Sequence, residues 1–232
     1  MGERDVLVGR DARSELLAIQ PVDGRVVLEP KVDGQDARRA EGPALRALRG
    51  VAFSTEAQGG TLRGFVVYES LFGNTARIAQ AVADGMRKHL DVELHSVAEG
   101  LWPEGADLLV MGGPTHAFSM SRATTREDAV NQGANTDCSI GLREWLDELP
   151  EGNDTLFAAF DTRVEMVRRL PGSAAKAAAK VARKRGYQLL TRAESFYVHD
   201  TPGPLLDGEV QRAEVWGAQL AESLVGEVRD WG

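Results

Sequence analysis

The chain has 232 residues, 43% of them hydrophobic, with 35 acidic against 27 basic side chains for a formal net charge of -8. That length can bury one sizeable core, or one core and a small appendage. The acidic excess argues against a nucleic-acid binder, and the single cysteine, Cys138, leaves no internal disulfide or one-chain thiolate metal site.

The first residues, MGERDVLVGRD, lack the apolar stretch and cleavage site of a secretory signal. No apolar run approaches the roughly 20 residues of a membrane span. A soluble, cytoplasmic protein without membrane contact is expected. Residues 1–63 are rich in Arg, Asp and Gly, hold one aromatic (Phe53), and offer only short apolar pieces such as RVVLE and ALRAL. Such a segment cannot build its own core. It reads as an N-terminal extension: a flexible arm, a packed-on appendage, or sequence upstream of a later start.

From Gly64 to Gly232 short apolar strands alternate with helical patterns, the signature of βα units stacked on a parallel sheet. The strands are GFVVYE (64–69), VELHSV (92–97), DLLVMGG (107–113), TLFAAFD (155–161) and a last one split between YQLL (187–190) and SFYVH (195–199). A helix from Thr75 to Leu90 carries Ile78, Val82 and Met86 on one face. GLREWLDEL gives a short helix. An Ala-rich one runs from Ser173 to Arg185, stopped by Gly186. The last spans about Gly208 to Val228, with Val210, Ala213, Gly217, Leu220, Leu224 and Val228 as its stripe. The expected fold is α/β: a doubly wound five-stranded parallel sheet in a three-layer sandwich.

In such sheets ligands bind beyond the carboxyl ends of the strands. After the first strand comes SLFGNT: Gly73 lets the backbone approach a ligand, and Ser70, Asn74 and Thr75 add side-chain donors at a helix start that favours an anion. The loop suits a phosphate, or else Asn74 or Thr75 simply caps the helix. Neither GxxxxGK[ST] nor GxGxxG is present. After the third strand, GGPTHAFSMSR makes a stiff turn whose His116, Phe118 and Met120 could border a planar ring. The four histidines show no metal-ligand spacing and Ser70 no GxSxG surroundings, so neither a metal site nor a hydrolase is expected.

SLFGNTARIA followed by VMGGPTHAFSMSR resembles the flavodoxin family, in particular bacterial flavodoxin-like domain proteins, and the likeness spans about residues 64–232. It implies strand order 2-1-3-4-5 and noncovalent FMN, hence an electron carrier or a small NAD(P)H- or quinone-dependent reductase. It implies further that Ser70, Leu71, Phe72, Gly73, Asn74 and Thr75 hold the phosphate end. Pro114, Thr115, His116, Ala117 and Phe118 line the ring, and Asp161, Thr162 and Arg163 lie in a third loop. Partners would be a redox protein, NAD(P)H or a quinone.

Two departures keep a flavin-free interaction module open. Flavodoxins usually have Thr where Phe72 stands, and they commonly sandwich the ring between Trp and Tyr, whereas FDTRVEMVRRLPG holds no aromatic after Phe160. Arg163 would either stabilise the negative charge of reduced FMN or face solvent beside Arg168 and Arg169. His116 would relay a proton or brace its loop.

Overall fold

Why the apolar runs form strands is visible in how their side chains divide. In β3 (Arg63–Tyr68) Phe65 and Val67 point to one face and Val66 to the other, and β5 (Leu108–Pro114) sorts Leu109 and Met111 from Leu108 and Val110 in the same way. Both faces are buried, as a parallel sheet sandwiched between helices requires. The computed structural model describes residues 61–134, 139–152 and 155–230, together with two strands near the N-terminus.

Those two strands, β1 (Leu17–Val22) and β2 (Arg25–Pro30), pair antiparallel from Leu17↔Pro30 to Val22↔Arg25. The sequence reading did not anticipate this hairpin, although the Asp-Gly pair between the strands is its standard signal. It belongs to a unit, residues 1–52, separate from the unit of residues 53–232 that carries the sheet. The remaining expectations for residues 1–60, and those for Cys138, fall outside the described residues.

The sheet runs in the order β4 (Asp91–Ser96), β3, β5, β6 (Leu156–Val164), all parallel. Two short strands, β7 (Gln188–Leu189) and β8 (Glu194–Val198), then both pair with β6, at its two ends. They are two halves of one interrupted fifth strand, as the split apolar pattern foretold. Counted within the sheet the order is 2-1-3-4-5, the flavodoxin-like doubly wound topology.

One face is covered by α1 (Asn74–Met86), whose Ile78, Val82 and Met86 are fully buried, and by α5 (Glu209–Asp230). These two helices press backbone to backbone. A Cβ on Gly85 would lie 2.0 Å from the Glu214 carbonyl oxygen, and one on Gly217 would lie 2.1 Å from that of Val82. Helix α1 ends four residues earlier than the apolar spacing suggests, because the chain turns through residues 87–90 to reach β4.

The other face is covered by α3 (Leu142–Glu148) and α4 (Ala174–Lys184). In α4 the buried stripe is Ala174, Ala175, Ala178, Ala179 and Ala182, small side chains that let the helix lie close to the sheet. Ser173 caps it, accepting a hydrogen bond from the Lys176 amide at 3.3 Å. A further helix, α2 (Ala123–Asn131), had no counterpart in the sequence reading. Its buried residues are Arg126 and Ala129, so it carries no apolar stripe to betray it.

Candidate functional site

The carboxyl ends of β3, β5, β6 and β8 open on one hollow of about 210 Å³. Its walls come from Leu71, Phe72, Asn74 and Thr75 after β3, from Pro114 to Ala117 after β5, from Thr162 to Val164 at the end of β6, and from Val198 and Thr201 at β8. Of the residues expected around a cofactor, ten therefore meet here: Leu71, Phe72, Asn74, Thr75, Pro114, Thr115, His116, Ala117, Thr162 and Arg163. Ser70, Gly73, Phe118 and Asp161 do not line it. Val164, Val198 and Thr201 were not anticipated, although a loop after the fifth strand opens at the same edge as the others.

The first loop is shaped by the chemistry of a helix start. Gly73 takes φ +82°, a left-handed conformation, and a Cβ there would meet nothing within 4 Å. The glycine is needed for its backbone and not for space. Of the first amides of α1, that of Ala76 donates to Ser70 Oγ at 3.2 Å. Those of Gly73, Asn74 and Thr75 meet no acceptor among the described residues. Their side chains are committed elsewhere: Asn74 Nδ2 donates to the Pro202 carbonyl at 3.1 Å, and the hydroxyls of Thr75 and Thr162 share a buried hydrogen bond of 2.7 Å. Asn74 therefore ties the first loop to the chain after β8. What the first loop offers the hollow is thus backbone N–H, the usual partner of an anion at a helix N-terminus.

The second loop is held from below by buried charge. Glu69, 3% exposed, accepts from Ser121 Oγ at 2.5 Å and from the Leu142 amide at 2.7 Å. Burial raises its pKa, against those two hydrogen bonds and the nearby Arg126. Arg126 donates to Ser121 Oγ at 3.1 Å and pairs with Glu144 at 3.1 Å. At the start of the loop, Thr115 accepts from the Ala174 amide at 2.9 Å. Between these anchors His116 and Ser119 exchange two backbone hydrogen bonds of 2.9 and 3.0 Å, with Ala117 and Phe118 at φ 45° and 64°. Burial, aided by the charge of Arg126, lowers the His116 pKa below 6.5. The imidazole is accordingly neutral at neutral pH and places no charge in the loop.

The residues expected in a third loop belong to strand β6 itself, paired as Asp161↔Ser195, Thr162↔Phe196 and Arg163↔Tyr197. Asp161 is fully buried and accepts from the Ala175 amide at 3.0 Å, so it serves the start of α4. Burial raises its pKa, and its Oδ1 has no hydrogen-bond partner among the described residues.

Arg163 neither faces solvent nor sits free. It is 4% exposed and donates to the carbonyls of Val167 (2.5 Å), Leu170 (3.4 Å) and Gly172 (3.2 Å). One donor, Nε, is buried without a partner among the described residues, in a side chain that lines the hollow.

A larger hollow, about 440 Å³, lies at the opposite edge of the sheet, between Arg63, Glu93 and Trp102. It is bordered by an exposed ion pair of 2.7 Å between Arg63 and Glu93, and it lies away from the strand ends where ligands of this topology bind. Among the described residues no group of three or more His, Cys, Asp or Glu is placed to hold a metal ion. None of their helices is long and apolar enough to cross a membrane.

No family model matches the chain, and no curated protein matches it significantly. Among solved structures it is similar to a flavodoxin from the domain Archaea, 20% identical, covering 71% of this chain and 99% of that one, with a TM-score of 0.48. It is similar also to the Flv1 flavodiiron core from Synechocystis, 19% identical, covering 73% of this chain and 38% of that one, with a TM-score of 0.48. A WrbA-like flavodoxin from Agrobacterium tumefaciens is 21% identical, with 72% and 99% covered and a TM-score of 0.46.

Proposed function

We propose that this chain binds FMN at the hollow and works as a flavodoxin-like redox protein. The observation that carries the reading is a helix start at the hollow: Asn74 and Thr75 both line it, and their amides meet no acceptor among the described residues. Amides at a helix start that lack a partner within the helix are a ready site for an anion. A phosphate supplies the acceptors they lack, and the start of α1 adds the favourable end of the helix dipole.

The hollow is smaller than the roughly 300–1,000 Å³ that encloses a whole drug-sized ligand. It therefore takes one end of FMN, with the phosphate held by the first loop. Thr115, His116 and Ala117 would border the remainder. Bound FMN supplies one- or two-electron redox chemistry, and the fixed positive charge of Arg163 favours whatever negative charge develops beside it.

Phe72 supports a second reading, because its half-buried ring lines the hollow where a hydroxyl would otherwise donate. On that reading the chain keeps the fold as a flavin-free interaction module. Titration of FMN with the purified protein separates the two. Saturable quenching of flavin fluorescence and a yellow protein are expected, and a colourless protein that quenches nothing would overturn the proposal. If FMN binds, anaerobic mixing with NADPH distinguishes a reductase, which bleaches the flavin unaided, from a carrier that needs a partner enzyme.

A further inference from the structure

Two loops at the mouth of the hollow turn apolar side chains outward on backbone that the fold holds stiff. In the first, Ala117 and Phe118 adopt the left-handed conformation that side chains rarely take, and the paired hydrogen bonds of His116 and Ser119 lock it. The Phe118 side chain is left 47% exposed. In the second, the buried guanidinium of Arg163 gathers the carbonyls of Val167, Leu170 and Gly172, while Met166 stands 91% exposed and Leu170 46%. The loops touch each other: a Cβ on Gly172 would lie 2.6 Å from the Phe118 carbonyl oxygen.

A buried charge that orders a loop whose outer surface is apolar makes little sense for a solvated turn. It makes sense for a contact surface, since backbone ordered in advance loses little freedom on binding. Exposed Met, aromatic and Arg side chains are also the types enriched where proteins meet.

Charge decides what kind of partner fits. The loop carries Arg168, which pairs with Glu165 at 3.3 Å, and Arg169, which makes no ion pair among the described residues. With His199 they line a shallow hollow of about 410 Å³ that adjoins the first, Val164 and Val198 lining one and Glu165 and His199 the other. Asp200, the next residue, directs its carboxylate to the Thr201 amide at 2.7 Å. Arg143 donates to Ser119 Oγ and the Met120 carbonyl beside Phe118, which brings the rim to three guanidinium groups against the carboxylates of Glu165 and Asp200. On a chain of net charge -8 this local excess attracts an acidic protein while the rest of the surface repels it. Such a partner is oriented onto this one face.

We propose that Phe118, Met166 and Leu170, flanked by Arg168 and Arg169, form the docking surface for an acidic redox protein. The partner's redox character rests on the FMN reading; the contact itself does not.

Methionine methyl resonances test it in the intact chain. Met166 reports the rim, while Met86, Met111 and Met120, at 0, 0 and 3% exposure, are buried controls. The FMN-supplemented protein, labelled at its methionine methyls, is titrated with an acidic [2Fe–2S] ferredoxin and, separately, with the basic protein cytochrome c. The Met166 methyl should shift or broaden with the ferredoxin alone. The affinity should fall several-fold as the Debye length shrinks from about 30 Å at 0.01 M salt to about 8 Å at 0.15 M. Arg168→Glu combined with Arg169→Glu should weaken it by about tenfold or more.

An unresponsive Met166, an equal response to cytochrome c, or indifference to charge reversal would overturn the proposal. So would a response to the chain's own concentration, which would make a second copy the occupant. Flavin quenching on the same samples keeps the two readings apart: FMN bound with Met166 silent defeats the docking surface alone, and Met166 responding without FMN uptake defeats the flavin alone.

Discussion

The hydroxyls of Thr75 and Thr162 lie 2.7 Å apart in a buried hydrogen bond, joining the first turn of α1 to the end of β6 beneath the candidate site. Thr75 is 2% exposed. Thr75→Val keeps the shape but strands the Thr162 hydroxyl, and should cost about 1–3 kcal/mol of stability in denaturant unfolding. Thr75→Asp sets a carboxylate beside the open amides instead. It should weaken FMN well over tenfold in a quenching titration, because like charges in a closed site cost several kcal/mol. Affinity that survives the Asp variant would place the phosphate elsewhere.

Phe72 offers the opposite test. Phe72→Thr exchanges a ring lining the hollow for a hydroxyl donor. A hydrogen bond to a charged group is worth about 1.5–3 kcal/mol, so FMN should bind about tenfold tighter or better. Unchanged or weaker binding would show that this position does not face the phosphate.

Arg163 is expected to act through its loop. Arg163→Gln removes donors from the carbonyls of Val167, Leu170 and Gly172. The segment containing Arg168 and Arg169 should then be cut by trypsin much faster than in the unaltered chain, with the sheet still folded by circular dichroism. An unchanged cleavage rate would mean that the loop is ordered by other contacts.

The buried carboxylates give a pH dependence with a definite sign. Burial raises Glu69 above 4.5 and Asp161 above 3.8. A raised folded-state value means that the native state binds the proton more tightly. Their contribution is therefore complete below those ordinary values and is lost as pH rises through the raised ones. His116 acts in the other direction: its value lies below 6.5, so its contribution is present above 6.5 and is lost as pH falls through the lowered one. Glu69→Gln can keep an acceptor for the Leu142 amide while removing the charge. The stability of the unaltered chain relative to this variant should fall as pH rises from 4.5 towards neutrality. A flat difference across that range would show that Glu69 does not titrate there.

The crossing of α1 and α5 tolerates no side chain at its glycines. Gly217→Ala would drive a methyl to 2.1 Å from the Val82 carbonyl oxygen, which only a shift of the helices relieves. Overpacking of this kind costs typically about 1–3 kcal/mol and occasionally more. Thermal unfolding should show the loss, whereas Gly226→Ala, in the same helix with nothing within 4 Å of its Cβ, should be neutral or slightly stabilising.

Local signals were enough to read most elements of the sheet domain. Apolar runs bounded by glycine and proline marked β3, β5 and β6, and both pieces of the interrupted fifth strand, because strand burial is written in consecutive side chains. Ser173 and Gly186 bracketed α4 for the same local reason, whereas the glycine of the first loop, read as giving a ligand room to approach, serves a left-handed turn. Helix α2 left no such trace, since what fastens it is Arg126, reaching Ser121 and Glu144.

Tertiary structure alone decided the direction of side chains whose type suits either environment. Arg163 looked equally fit for solvent, and it is buried because three carbonyls of one loop converge on it. Asp161 stood beside residues that line the hollow and went instead to the start of α4. Thr201 joined the site from 126 residues beyond Thr75, by a chain path that only strand order can bring back to the same edge. Periodicity records whether a residue is covered. Partners distant in sequence determine what covers it, and so what chemistry the site holds.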